Sequence, residues 1–268
     1  MINGKKLFLG ILLLGFFSCV SPISTNEKKA KTAKDKYDVY LLIGQSNMAG
    51  RGRMIASDTL GIIEGVWLLN EKGKPEKAVS PLNKYSSIRK SLPIQQIGPG
   101  EAFAKTLRQK TGKKILLVVN ARGGSNIKAW LPSAEEKYLD EAIRRTKEAT
   151  KYGPLKGILW HQGESNSGAP QSYMKQLETM VGELRKQLDA DNVPFVAGEI
   201  APWHHNRDKF NPIIRTIKEH INNSDWVSSE SCGMLKNEND PHFSREGQMI
   251  LGERYAQKIY ELVYKNNL

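Results

Sequence analysis

Five short apolar runs recur along the chain: YDVYLLIG (37–44), KKILLVVN (113–120), LKGILWHQ (155–162), VPFVAGEI (193–200) and the weaker SDWVSSE (224–230). Their hydrophobic residues are mostly contiguous, as in strands buried on both faces. Between them lie stretches with helical spacing, at 100–112, 133–153, 170–190, 210–223 and 244–266. In the second of these, Ala134, Tyr138, Ala142 and Ile143 share a face, with charged residues opposite. Ser133 followed by Glu136 predicts a capping box at its start. Strands alternating with helices predict an α/β fold, a parallel sheet covered on both faces. The stretch 53–96 shows neither period, is rich in Gly, Pro and Ser, and reads as a long irregular loop. No repeat or second domain interrupts 37–268.

The N-terminus follows a different pattern. Lys5 and Lys6 precede LFLGILLLGFF (7–17), and small residues follow, which predicts a secretory signal over 1–18. A membrane-spanning helix needs about 20 apolar residues, so this run is too short to stay in a bilayer. Cys19 stands at the cleavage point and resembles the lipidated cysteine of a bacterial lipobox, with Phe16 where leucine is usual. Residues 19–36 are polar and lysine-rich, the composition of a flexible tether. The expectation is an exported protein, held on a membrane by a lipid at Cys19 and facing the periplasm or the cell surface, the alternative being plain secretion after cleavage nearby. Cys232 is the only other cysteine, so the exported domain has no internal disulfide.

The formal net charge is +12, from 40 Lys and Arg against 28 Asp and Glu. Part of that excess sits in the leader and tether. The remaining basic residues alternate with acids along the helical stretches, and no nucleic-acid motif accompanies them. This is the pattern of a solvated surface and not of a nucleic-acid partner. The adjacent His204 and His205 lack further ligands at zinc spacing, so no metal or other cofactor is expected.

In open α/β sheets, ligands bind beyond the carboxyl ends of the strands. Gly44, Gln45, Ser46 and Asn47 follow the first run, and Asn120, Arg122, Gly123, Gly124, Ser125 and Asn126 follow the second. The third ends in His161, Gln162, Gly163 and Glu164, and Asp240 and His242 precede the last helix. The chemically capable residues therefore collect on one rim. GQSNM is not the G-x-S-x-G elbow, because Met48 replaces the second glycine, so an ordinary α/β-hydrolase is disfavoured. Taken alone, Ser46 serves equally well as a helix cap or as a nucleophile.

LLIGQSNMAGRG, NARGGSNI, WHQGESN and DPHFSREGQMILGERYA together resemble the SGNH hydrolases. They are most similar to the branch of acetyl xylan esterases and sialate O-acetylesterase-like domains. The resemblance spans about Val39 to Tyr260 and implies a three-layer α/β/α sandwich with a flavodoxin-like parallel sheet over 37–268. It also implies Ser46 as nucleophile and His242 as base. The implied oxyanion donors are the backbone N–H groups of Ser46 and Gly124 (Gly123 being a near-equal choice) and the side chain of Gln162. Removing one such donor costs about 2.7–4 kcal/mol of transition-state stabilisation.

The superfamily's D-x-x-H places Asn239 three before His242, and Asp240 stands only two before it. The glutamate of HQGE has also been viewed as the triad acid, which leaves Asp240 and Glu164 equal candidates for orienting the imidazole. His161 is expected as packing beside the site, His220 as structural, and His204 and His205 as cleft lining. Asn47, Arg51, Asn126 and Trp203 are candidates for contacting sugar. Trp160 is expected in the core, and Trp130 is open between core and cleft. The reaction implied is removal of O-acetyl groups from carbohydrate through an acetyl-enzyme. The alternatives are hydrolysis of lipid or thioester acyl groups and non-catalytic glycan binding.

Overall fold

A computed structural model describes residues 1, 2, 4 and 36–265. The chain divides into two units, Met1–Ala30 and Lys31–Leu268. The predicted leader from residue 5 on, Cys19 and the tether up to residue 35 lie outside the described residues. Among the described residues, no helix is long and apolar enough to cross a membrane.

The five expected runs all form strands: β1 (Asp38–Gly44), β4 (Ile115–Val119), β5 (Leu155–His161), β6 (Phe195–Gly198) and β7 (Ser224–Val227). Two more, β2 (Val66–Leu69) and β3 (Pro75–Lys77), complete a seven-stranded sheet in the order β3-β2-β4-β1-β5-β6-β7. Every pairing is parallel except the edge hairpin of β2 with β3. Alternate residues of the central strand serve opposite cores. Val39, Leu41 and Ile43 join one, while Tyr40 and Leu42 join the other. Helices α4 (Tyr138–Ala149), α5 (Tyr173–Leu188) and α6 (Arg207–Arg215) bury their apolar stripes in the first core. Helices α3 (Gly100–Thr111) and α8 (Arg245–Val263) do so in the second. Each fully buried Leu, Ile or Phe contributes about 1.5–3 kcal/mol, so both faces must be covered for the sheet to hold. The result is the expected α/β fold, mostly parallel, with helices on both faces.

Three local expectations need correction. The stretch 53–96 is not structureless: it holds α2 (Ala56–Leu60), β2, β3 and a 3-10 turn at Leu82–Tyr85. VWLL is too short to show a period, and it becomes a strand because Val66–Leu68 pair with Ile115–Leu117 of β4. Secondly, α4 begins at Tyr138, not at the Ser133 capping box. Lys137 sits in the left-handed region at φ 56°, which stops the helix from extending backwards and leaves Ala134 outside it. Thirdly, the run 210–223 divides into α6 and α7 (Ile217–His220), and α6 starts earlier, at Arg207.

The topology also places the site. From β1 the chain runs to β2 and β4 on one side, and β5 then returns to the other side of β1. The crevice beside the end of β1 is where such a reversal leaves room for a ligand. Gly44 and His161 are paired in register, so β1 and β5 open onto that crevice at the same level.

Candidate active site

Gly44, at φ 136°, lets the chain leave β1 in a direction that an L side chain rarely adopts. A Cβ there would lie 2.2 Å from the carbonyl oxygen of His161, so only glycine fits this crossing. Gln45 N–H then donates to that same carbonyl (2.9 Å), and Ser46 opens the four-residue helix α1 (Ser46–Ala49).

At the other end of the chain, Ser244 caps α8 by accepting from the N–H of Gly247 at 3.1 Å. The residues before that cap double back over α1. His242 Nε2 lies 3.0 Å from Ser46 Oγ, and His242 Nδ1 lies 2.6 Å from Asp240 Oδ1. That same Asp240 oxygen accepts the backbone N–H of His242 at 3.1 Å. A tight turn thus closes the two-residue spacing, with one carboxylate oxygen taking both the main-chain and the ring N–H. Trp203 Nε1 donates to the Asp240 carbonyl (2.8 Å), and Leu235 N–H donates to the His242 carbonyl (2.8 Å). The loop is therefore held on both sides of the imidazole.

A carboxylate on Nδ1–H leaves Nε2 bare and pointing at the hydroxyl, the tautomer needed to accept a proton from it. Burial pushes the His242 imidazole below its ordinary pKa against the opposing effect of Asp240, and the positive charges of Arg51 and Lys236 push it further down. The ring is neutral at neutral pH and ready to take a proton. A serine hydroxyl beside such a base is a competent nucleophile.

The turn after β4 is tied by Arg122 N–H to Gly44 O (3.0 Å) and by Ser125 N–H to Arg122 O (3.2 Å). Those bonds leave the amides of Gly123 and Gly124 without an acceptor among the described residues, and the amide of Ser46 has none there either. A Cβ on Gly123 would stand 3.8 Å from Ser46 Cβ and 2.6 Å from Arg51 Nη2. One on Gly124, at φ 73°, would meet only Lys90 Nζ at 3.3 Å. Gly123 is thus the glycine packed against Ser46, while the amides of both glycines stay open to an oxyanion.

Gln162 does not fit the role of a third donor. It is fully buried, and its Nε2 is engaged by Gln45 Oε1 (3.0 Å), Ser125 O (3.1 Å) and Asn166 Oδ1 (2.7 Å). Its Oε1 accepts from the Tyr173 hydroxyl at 2.8 Å. Two amide hydrogens facing three acceptors leave nothing for an oxyanion. Asn47 is likewise not positioned to meet sugar: it is fully buried with both ends of its amide bonded. Asn126 caps its own turn, with Oδ1 accepting from Lys128 N–H (3.0 Å) and Nδ2 donating to Ser165 O (3.0 Å). Trp203 packs edge-on against Phe243, 5.5 Å between ring centres, and braces Asp240. Arg51 alone of the four carries a charge to the rim. Its Nη1 donates to the carbonyls of Gly50 (2.6 Å) and Ile94 (3.1 Å), and no carboxylate among the described residues pairs with it.

The two acid candidates separate cleanly. Asp240 touches the imidazole; Glu164 instead accepts from Asn47 Nδ2 at 2.6 Å. Although Glu164 as a residue is only half-buried, its Oε2 is enclosed and has no hydrogen-bond partner. Burial raises its carboxyl to a pKa of about 7.

His161 is buried beneath the site, edge-on to Phe243, with Nδ1 3.1 Å from the Tyr255 hydroxyl. Burial lowers its pKa to about 3, so it is neutral. Tyr255 donates its own proton to Trp160 O (2.8 Å) and so accepts from His161, which leaves His161 Nε2 bare and unpartnered. His204 and His205 stack on each other at 4.5 Å, and His220 pairs with Glu178 on the surface at 2.9 Å. Trp130 and Trp160 are both core residues, 5.3 Å apart and edge to face. Among the described residues, no group of three or more His, Cys, Asp or Glu is gathered as metal ligands.

A mostly parallel sheet with serine, histidine and aspartate linked on its carboxyl rim defines a class, the SGNH-type esterase fold. The family model for "SASA: Carbohydrate esterase, sialic acid-specific acetylesterase" matches residues 36–261, and the chain belongs to that carbohydrate esterase family. It is 27% identical over 238 residues to "Probable carbohydrate esterase At4g34215" of Arabidopsis thaliana, covering 82% of this chain and 88% of that protein. The crystal structure of the Arabidopsis protein AT4G34215 superposes with a TM-score of 0.74 at 25% identity, covering 84% of this chain and 98% of the other. A carbohydrate acetylesterase from Xanthomonas citri shares the fold at a TM-score of 0.64 and 19% identity, over 86% of this chain and 57% of the other.

Proposed function

We propose that this protein is a serine O-acetylesterase acting on carbohydrate. The observation that carries the reading is the unbroken run from Ser46 Oγ through His242 to Asp240, with contacts of 3.0 and 2.6 Å. Ser46 Oγ attacks the acetyl carbonyl as its proton passes to His242 Nε2, and the carbonyl π pair moves onto oxygen. The N–H groups of Ser46 and Gly123, which donate to no other protein group among the described residues, take that oxyanion. Collapse breaks the C–O bond to the sugar, whose oxygen takes the proton from His242. Water, deprotonated by His242, then releases acetate and restores Ser46. Asp240 fixes the tautomer and stabilises the imidazolium.

The rim favours an acidic sugar. Arg51, Lys90 and Lys236 form no ion pair among the described residues, and all three stand near the run: two act on His242 and Lys90 lies against Gly124. A glycan carboxylate would supply the missing counter-charge; neutral xylan would not. The family's own description, which names sialic acid, supports this choice. We carry export and lipid anchorage at Cys19 as part of the same proposal, because a surface or periplasmic enzyme meets such glycans directly. Palmitate labelling of intact cells that disappears in Cys19→Ala would support the anchor, and labelling that persists would remove it.

The deciding experiment is acetate release from acidic and neutral acetylated glycans by the mature protein and by Ser46→Ala. Release from acidic glycans that vanishes in the variant is the expected result. Binding without release would leave only a glycan-binding role, and equal release by both proteins would place the chemistry elsewhere.

A further inference from the structure

Asn47 follows the candidate nucleophile in sequence, is fully buried, and uses every hydrogen-bonding position of its amide. Its Nδ2 donates to Glu164 Oε1 (2.6 Å) and to the carbonyl of Pro241 (3.0 Å). Its Oδ1 accepts from the backbone N–H of Phe243 and from Gln248 Nε2, both at 3.3 Å. Pro241 and Phe243 are the two residues flanking His242. One side chain, attached to the backbone of the Ser46 turn, thus grips the chain immediately before and after the imidazole. Glu164, from the turn after β5, fixes the orientation of that side chain. Without the carboxyl oxygen, one Asn47 hydrogen has no acceptor, and the Nδ2 end of the amide is held by the Pro241 carbonyl alone. Glu164 does not touch His242, whose Nδ1 is occupied by Asp240.

We propose that Asn47 and Glu164 are positioning residues: Glu164 holds Asn47, and Asn47 holds His242 at hydrogen-bonding distance from Ser46. The inference rests on the reading that Ser46 and His242 do the chemistry. It assigns the HQGE glutamate of this chain a role that runs through Asn47 and not through the imidazole. The physical stake is distance. Misplacement by 1 Å of a reacting pair costs about 10²-fold in rate. A shared route has a further consequence: once Asn47 is gone, Glu164 has nothing left to hold. Effects that run through one contact do not add.

The test is hydrolysis of p-nitrophenyl acetate by the mature protein, following kcat, KM and the acid limb of kcat/KM. The variants are Asn47→Ala, Glu164→Ala, their combination, Glu164→Gln, Asp240→Asn and Ser46→Ala. Asn47→Ala should lose about 10²-fold in kcat with little change in KM. The double variant should lose no more than Asn47→Ala alone. Glu164→Gln, which keeps an acceptor oxygen for Asn47, should recover most of what Glu164→Ala loses. The acid limb in Asn47→Ala should move up towards the ordinary histidine range as the imidazole becomes less enclosed.

A double variant whose loss equals the product of the two singles would overturn the proposal. So would a Glu164→Gln loss as large as that of Asp240→Asn, since that outcome makes Glu164 an acid acting on the imidazole itself. If the alanine variants do not fold, Glu164→Gln against Asp240→Asn still decides. Undiminished hydrolysis by Ser46→Ala would instead sink the underlying site reading, and is distinguishable for that reason.

Discussion

Ser46 and His242 are 196 residues apart in sequence, and Ser46 Oγ lies 3.0 Å from His242 Nε2. Neither residue reaches the other through its own element. Ser46 is delivered by the glycine-dependent exit from β1, and His242 by a loop fixed between the Ser244 cap and the Trp203–Asp240 bond. The pair exists because two independent anchors agree to within a hydrogen bond.

Asp240→Asn is expected to lower kcat by about 10⁴-fold, because the amide can hold the imidazole in the wrong tautomer while leaving its position intact. Steady-state kinetics on p-nitrophenyl acetate checks this, with circular dichroism to establish that the fold is kept. A loss smaller than tenfold would mean that another group orients His242.

The proposed mechanism requires neutral His242, whose pKa is depressed, first by burial and then by nearby positive charge that includes Arg51. The rate should therefore fall as pH drops through a value below the free-histidine range, and should be at its plateau at pH 7. Arg51→Met removes one of the charges that disfavour imidazolium, so its acid limb should shift upward. A pH profile of kcat/KM for both proteins tests the sign, and a downward shift would contradict it.

Gly123→Ala places a methyl where Arg51 Nη2 and Ser46 now close the space, at 2.6 and 3.8 Å. The expected outcome is a protein that folds with its hydrolysis reduced by about 10²-fold or more, on the order of losing an oxyanion donor. Unaltered kinetics would remove Gly123 from the site.

Gln162→Ala should act on stability and not on the chemical step. It removes the buried hydrogen bonds that its amide donates to Gln45, Ser125 and Asn166 and that it accepts from Tyr173, at a cost of about 1–3 kcal/mol. Urea unfolding should show the lower midpoint. A kcat loss of about 10²-fold with unchanged stability would restore Gln162 as an oxyanion donor.

His161 is held neutral, with a pKa of about 3 in the fold against an ordinary 6.5. The unfolded chain binds this proton more readily, so the fold loses stability as pH falls from 6.5 towards 3, by about 1.4 kcal/mol per pH unit. The buried Glu164 carboxyl, raised from 4.5 to about 7, has the opposite sign: it favours the fold at low pH and disfavours it as pH rises from 4.5 to 7. Comparison with His161→Gln cancels that second contribution. The stability difference between the two proteins should shrink on acidification, and a difference independent of pH would refute the assignment.

Much of this arrangement was legible in the primary structure, for identifiable reasons. Contiguous apolar runs such as YLLI and ILLVV mark strands that must be covered on both sides, and that requirement fixes an α/β sandwich. Strand ends in such a sandwich share one edge, so the residues just past each run were expected to meet there. Ser46 and Glu164 stand at such ends, and the roles of Ser46, His242, Asp240 and Glu164 are what the resemblance to the SGNH esterases implies. The edge hairpin was not legible, because VWLL is four residues long and its burial comes from β4. The start of α4 was misjudged because Ser133 and Glu136 carry the capping pattern while the left-handed Lys137 breaks the helix after them.

What the sequence determined alone is the inventory and the edge it occupies: the five strands with contiguous apolar runs, the need to cover both sheet faces, and the residues that arrive at the rim. It could not choose between Asp240 and Glu164, since a spacing of two closes on an imidazole only through a particular turn, here one carboxylate oxygen shared by the backbone and ring N–H of His242. Nor could it separate Gly123 from Gly124, or tell a free amide from a committed one at Gln162 and Asn47. Periodicity is a property of one element and survives in the primary structure. Hydrogen-bond direction at a site built from four separate turns depends on angles and distances set jointly by the packed sheet, and only the tertiary structure supplies them.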